Sequence, residues 1–300
     1  LGGKLLNTNG LNANVFDPNA LFSRGDNFFL SFVNKVVVKF DIEAKKNLHI
    51  GISASQSNIK SASYTDFSMD YLDDKGQISS EVTDFSTDIY IAYTPGRYVY
   101  GYGVERKMGR NLHPSFVINY HKGYKGIFNG SFNYDKIQFK FSQPILLGKL
   151  GLLKTTIDGG KTFGKVPLAL LSPIPANQTF WITRNTFSLM NYYDFVTDTY
   201  ISGHLEHHFN GLILNKIPFM RDLKLRSLLI FKTVYGTISD ENIAINKSNI
   251  IYTAPTDNLY YEYGIGFENI GYGNIRPLRI DFMTRGAHTS INGLPTPKFA

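Results

Sequence analysis

The sequence predicts an all-β fold, a transmembrane antiparallel β-barrel. Three observations lead there: apolar and polar residues alternate along successive segments, aromatic residues are in excess, and no apolar run reaches the length of a membrane helix. In Ile137-Gln138-Phe139-Lys140-Phe141 the apolar side chains point one way and Gln138 and Lys140 the other, the two-residue period of a strand. Phe85, Thr87, Ile89, Ile91 and Tyr93 keep the same beat, as do Leu259, Tyr261, Tyr263, Ile265 and Phe267. Alternation alone suits a sandwich as well as a barrel. The 23 Phe and 19 Tyr decide for the barrel, whose outer band and interfacial girdles need such rings. A helical span needs about 18 consecutive apolar residues. None occur, so only a closed set of hydrogen-bonded strands could carry this chain through a bilayer.

The elements follow in order. Residues 1–27, rich in Asn, Gly and Asp, read as loop. A first strand is expected near 28–44, with Val36, Val38, Phe40 and Ile42 on one face, and a partner carries Leu48, Ile50, Ile52 and Ala54. Lys45-Lys46-Asn47 suits the hairpin between them. The stretch 55–83 is polar, with Asp73-Asp74-Lys75-Gly76 as a turn. Further strands are expected near 84–93, 115–121, 130–141 and 151–158, each bounded by Gly or Pro. Residues 159–198 break the rhythm with Pro167, Pro173 and Pro175, and a non-strand run of this length inside a barrel is a functional loop, expected to fold into the lumen. Strands near 199–209, 223–237, 259–268 and 276–283 complete roughly ten. The chain reads as one domain over 1–300, the C-terminal part of a longer protein. A closing strand and early strands are expected outside it, because Lys298-Phe299-Ala300 starts a new segment.

Composition narrows the function. Cysteine is absent, which removes disulfides, thiolate metal sites and cysteine nucleophiles. The net charge of +7 comes from Lys and Arg scattered along the strands, a distribution suited to a polar lumen or anionic lipid rather than to nucleic acid. No Gly-x-Ser-x-Gly elbow is present, and Gly101-Tyr102-Gly103 lacks the third glycine of a dinucleotide site, so the chain is read as not an enzyme.

The segment from Asp158-Gly159-Gly160-Lys161 through Pro167, with Asn185 to Asp198, Glu206-His207-His208-Phe209-Asn210-Gly211, Asn215-Lys216-Ile217-Pro218 and Leu223-Lys224-Leu225-Arg226, resembles a family of Bacteroidota outer-membrane barrels of unknown function. That family carries a carboxypeptidase-regulatory-like domain ahead of the barrel. Through the long loop and closing strands such as Tyr263-Gly264-Ile265-Gly266-Phe267, the barrel is in turn similar to the BamA and TamA insertase superfamily. The arginine-glycine loop motif of that superfamily does not occur in 159–198. The resemblance implies an outer-membrane location and a non-enzymatic role in envelope biogenesis and protein transport, insertase- or translocase-like. Implied partners are outer-membrane lipid or lipopolysaccharide, nascent outer-membrane proteins and other envelope subunits. A solute pore or a structural barrel subunit is the alternative.

Two sets of side chains could act. His204, Glu206 and His208 share a strand face about 7 Å apart, and two histidines with a carboxylate can hold zinc. The plainer reading is that they wet the lumen, and no metal or cofactor is expected. Arg226, Glu262, Glu268, Arg279 and Asp281 fall on the polar face of the last strands and are expected to pair with one another or with Lys161 and Arg184 of the long loop, or to stand as ordinary lumen charges. The resemblance makes Arg184 the basic residue that locks the loop; the single tryptophan, Trp181, is read as either an anchor beside it or an exposed aromatic near the interface.

Overall fold

The computed structural model describes residues 29, 31–61, 67–101, 107–108, 112–179, 182–249, 252–287, 290–291 and 294–295. Trp181 and the expected terminal loops lie outside them. Ten long strands form one antiparallel sheet: β1 (Ser31–Lys45), β2 (Leu48–Ser61), β3 (Glu81–Tyr93), β4 (Ser115–Gly123), β5 (Tyr134–Leu146), β6 (Leu152–Phe163), β7 (Thr199–Asn210), β8 (Arg226–Thr237), β9 (Tyr260–Tyr272) and β10 (Ile275–Arg285). Each strand pairs with its neighbours in sequence, and all ten expected strands are present. The order is linear: among the described residues β1 and β10 do not pair with each other. No helix among the described residues is long and apolar enough to cross a membrane.

The sheet inverts the usual sorting of side chains. On its outer face Ile52, Ile118, Phe139, Ile201, Leu229, Ile265 and Phe282 are exposed, whereas Ser57, Asp84, Lys136, Gln138, Asp158 and Glu262 are buried on the inner face. Large exposed apolar area with buried polar groups is the informative combination, and here it covers a whole sheet.

Turn chemistry sets the ends of the strands. Asn47 adopts a left-handed φ of 64° in the β1–β2 turn, and its N–H donates to Glu43 Oε1 at 2.8 Å. The polar stretch after β2 folds into a short hairpin, Tyr71–Leu72 with Ile78–Ser79, in which Asp73 Oδ1 accepts from the backbone N–H of Lys75 and Gln77. Strand β6 runs five residues past its expected end at Asp158. Gly159 and Gly160 do not stop it; they leave room for rings from adjacent strands. A Cβ on Gly159 would lie 2.6 Å from a Phe139 ring carbon and 2.9 Å from the Tyr200 carbonyl oxygen, and one on Gly160 would lie 2.9 Å from the Tyr200 ring. The non-strand segment therefore begins at 164 rather than 159.

This segment, the plug, lies against the inner face. Val166 and Leu168 to Leu171 pack with Ile59, Val82 and Tyr134 from the sheet and with Phe67, Met69, Tyr71 and Ile245 from neighbouring loops. Further along, Phe187, Met190 and Phe195 pack on Tyr200, Val234 and Tyr260, and Leu189 meets Leu228, Ile230 and Met283. The plug thus touches strands from β2 to β10, which requires the sheet to curl. Arg279 on β10 confirms the curl by bonding Glu206 on β7 at 3.1 Å, three strands away. On a flat sheet those strands would be about 14 Å apart.

Connections differ between the two ends. One end carries 46–47, 94–114, 147–151, 211–225 with helix α1 (Pro218–Leu223), and 273–274. The other carries 62–80, 124–133, the plug, and 238–259 with helix α2 (Asp240–Ile245). The plug therefore enters from the end with the larger connections. Asn242 and Asn246 hold its first turn: Asn242 Oδ1 accepts from Val166 N–H at 2.9 Å, and Asn246 Oδ1 accepts from Leu168 N–H.

Two measurements check this packing. Gly159→Val should lower the unfolding free energy in detergent by about 1–3 kcal/mol, seen as a lower denaturant midpoint. Burial also pushes the Tyr193 and Tyr252 phenols up from 10, Tyr252 to about 12. The native state then keeps protons that the unfolded chain loses, so stability is intact below pH 10 and declines between pH 10 and about 12. Ultraviolet titration should show these two phenols ionising after the exposed ones.

Candidate functional site: a plug clamp and a vestibule

On strands β8 to β10 the inner face is joined to the plug by a rung of charges. Lys232 on β8 pairs directly with Glu262 on β9, and Glu262 with Arg285 on β10. Cation, carboxylate and cation thus stand side by side on adjacent strands. Each engages the plug backbone. Lys232 Nζ donates to the Thr186 carbonyl at 2.8 Å and to Ser188 Oγ at 2.7 Å. Glu262 accepts the backbone N–H groups of Ser188 and Leu189, both at 2.8 Å, and the Tyr260 hydroxyl at 2.6 Å. Arg285 donates to the Leu189 carbonyl and lies over the Tyr260 ring, 5.2 Å from its centroid.

The chemical reason is the burial of irregular backbone. Leu189 and Glu262 are both fully buried. Peptide groups in such a place need partners, since each buried unsatisfied group costs about 1–3 kcal/mol. A carboxylate accepting two N–H groups also meets the desolvation cost of its own charge, which Lys232 and Arg285 flank.

Towards the end bearing the shorter turns lies a second cluster. Arg279 bonds both Glu206 and Asp281, with Nη2 at 3.1 Å and 2.8 Å from them. His208 Nδ1 lies 3.1 Å from Glu268 and Nε2 lies 3.3 Å from Glu206. Between this cluster and the plug tip is a cavity of about 940 Å³ lined by Lys154, Arg184, Arg226 and Glu268 among others.

The expected contacts are sorted differently by the structure. Glu262 does meet the loop, through its backbone rather than through a basic side chain. Lys161 does not belong to the loop: it lies in β6, is exposed on the outer face, and places Nζ 5.1 Å from the Phe163 ring centroid. Arg279 pairs with Asp281, the expected pairing within the set, and also with Glu206, while Glu268 meets His208. Arg184, near the plug tip, and Arg226, which pairs with Glu268 in register, both face the cavity, and no ion pair among the described residues includes either. Of the candidate metal ligands, His208 lies between two carboxylates and His204 sits 5.1 Å from the Phe187 ring. Among the described residues no group of three or more His, Cys, Asp or Glu has a metal-holding arrangement.

Sequence reasoning missed Lys232 and Arg285. A usable signal was present: a two-residue hairpin turn at Gly273-Asn274, with Tyr272 opposite Ile275, sets Glu262 opposite Arg285.

Residues 27–242 match the C-terminal domain of a family of unknown function, DUF5686, and the chain belongs to that family. No curated protein sequence matches it. Among solved structures it is similar to the crystal structure of BamA from Haemophilus ducreyi lacking POTRA domains 1–3, with a TM-score of 0.51 and 11% sequence identity. The match covers 90% of this chain and 53% of that one, so the chain spans about half the length of the BamA structure. At that identity the likeness is one of fold: a β-rich chain resembling the BamA barrel.

Glu262→Ala would leave two buried N–H groups without their acceptor and remove the carboxylate that stands between two cations. We expect a loss of about 3–5 kcal/mol in unfolding free energy and rapid protease cleavage within 164–198, with Lys232→Met giving a smaller loss. Limited proteolysis followed by mass mapping reads the plug directly. An uncut plug in Glu262→Ala would mean that the clamp is not what holds it.

Proposed function

We propose that this DUF5686-family chain forms part of an outer-membrane β-barrel that acts in envelope biogenesis, insertase- or translocase-like, without covalent chemistry. The observation that carries the reading is the ten-stranded curled meander with an apolar exterior, a polar interior and a segment clamped inside it. A surface of exposed Ile, Leu and Phe around a whole sheet suits hydrocarbon, and charged residues on the concave side suit a water-facing lumen. Barrels of this kind place short turns in the periplasm and long loops outside, so the plug would enter from the cell exterior. BamA-like architecture supports an envelope role at the level of fold.

The mechanism rests on strand edges. The edges of β1 and β10, not paired with each other among the described residues, offer backbone donors and acceptors to an added strand. A nascent outer-membrane strand would exchange its backbone hydrogen bonds with such an edge at little net cost, while the clamped plug keeps the interior closed to solute. Outer-membrane lipid or lipopolysaccharide would bathe the apolar face. A solute-pore reading draws on the 940 Å³ cavity, which would form one end of a channel if the plug moved.

Three measurements test the reading. Phe139→Arg or Ile265→Arg on the outer face should destabilise the membrane-inserted form by about 2–4 kcal/mol at mid-depth, seen in refolding into lipid vesicles. Indifference to both would remove the membrane assignment. Depletion of the protein should lower the amount of assembled outer-membrane barrels; unchanged assembly would favour a structural subunit. Steady open conductance in planar bilayers with the plug intact would favour the pore.

A further inference from the structure

The cavity beneath the plug tip has unspent positive charge. Its lining includes five lysine and arginine side chains against three carboxylates. The carboxylates are engaged: Glu206 and Asp281 share Arg279, and Glu268 meets His208. Lys232 is turned to the plug backbone. That leaves Lys154, Arg184 and Arg226, which no ion pair among the described residues includes and which come from β6, the plug and β8 in turn.

Position defines the mouth. Lys154 is the third residue of β6, Arg226 the first of β8, and Arg279 the fifth of β10, all near the end with the shorter turns. The plug comes from the opposite end, so the cavity is a vestibule open on the side away from the plug's origin.

Spacing selects the ligand. Lys154 pairs with Glu206, and Glu206 with Ile230, so Lys154 and Arg226 are separated by two strand spacings across the sheet and four residues along it. Their backbones are then about 16 Å apart. A compact oxyanion could engage both only with each side chain fully extended towards the other. Several carboxylates strung along a chain would meet Lys154, Arg184 and Arg226 in sequence, and a volume of about 940 Å³ takes a few residues of peptide.

We propose that this vestibule binds an acidic polypeptide segment, with Lys154, Arg184 and Arg226 pairing with its carboxylates. The site deepens the barrel reading, on which its assignment to the periplasmic side rests; the binding itself depends only on the curled sheet and its plug.

The test uses the full chain in zwitterionic detergent micelles and fluorescein-labelled hexaglutamate, with hexalysine and inorganic phosphate as competing probes. Saturable hexaglutamate binding is expected, weakened roughly tenfold by Arg184→Gln and by Arg226→Gln, and restored in part by Arg226→Lys. Lys46→Gln, on an exposed turn outside the cavity, should leave it unchanged. Native folding of each variant is read from heat-modifiable gel mobility. Absence of saturable binding, equal weakening by Lys46→Gln, or preferential binding of hexalysine would overturn the proposal. Displacement by phosphate at concentrations that leave ionic strength nearly unchanged would also overturn it, by assigning a small-anion site. The measurement is made without any assembly activity. Absent peptide binding with impaired barrel assembly in depleted cells refutes only the vestibule, and retained binding with unchanged assembly in depleted cells refutes only the biogenesis role.

Discussion

Irregular backbone inside a curled sheet must find partners for its peptide groups, and the fold is organised around meeting that demand. Strands satisfy theirs by pairing with neighbours. Among the described residues the plug's bridges are few, Ser172 with Thr197, Pro173 with Val196, Ala176 with Phe187 and Phe195 with Thr253, so several of its remaining donors and acceptors turn to side chains around it. Lys232, Glu262 and Arg285 meet the tip, Lys136 Nζ bonds the Leu170 carbonyl at 2.8 Å, and Asn242 and Asn246 take the first turn. This is why charged and amide side chains are buried on a face that would otherwise be solvated. Without the plug they would have water; with it they replace water for the plug.

Two opposite sortings follow from one sheet. Because side chains alternate strictly, burying polar groups inward forces the apolar set outward. The outer face then needs an apolar medium, and the inner face needs a filler rich in hydrogen-bonding groups. The proposed bilayer and the observed plug answer those two needs, and neither could be exchanged for the other without reversing every strand.

Much of this was legible in the sequence. The alternation in Ile137 to Phe141 and in Leu259 to Phe267 located strands and their faces, and the prolines at 167, 173 and 175 located the plug. Strand ends were less legible, since Gly159-Gly160 has the composition of a stop and the role of a seat for the Phe139 and Tyr200 rings, which only the register shows. The clamp was half legible. Glu262 stands out as a charge on the inner face, but its partners are backbone N–H groups that no residue type advertises. Lys161 was misplaced by the same error at Gly159, because moving the plug's start by five residues moves the lysine from loop to outer strand face. Arg184 was expected to act as a lock by resemblance; the lock lies a few residues on, in the peptide groups from Thr186 to Leu189.

The Arg279 bridge has a bearing on how the molecule forms. It joins the last strand of the meander to one three positions earlier, and the intervening hairpins must already be bent for the guanidinium to reach Glu206. A ribbon lacking the β9–β10 hairpin would therefore lack this bridge, and with the hairpin in place the fork of nitrogen atoms joins the plug in fastening the curvature. The tightness of the bend is decided only once the β9–β10 hairpin has formed.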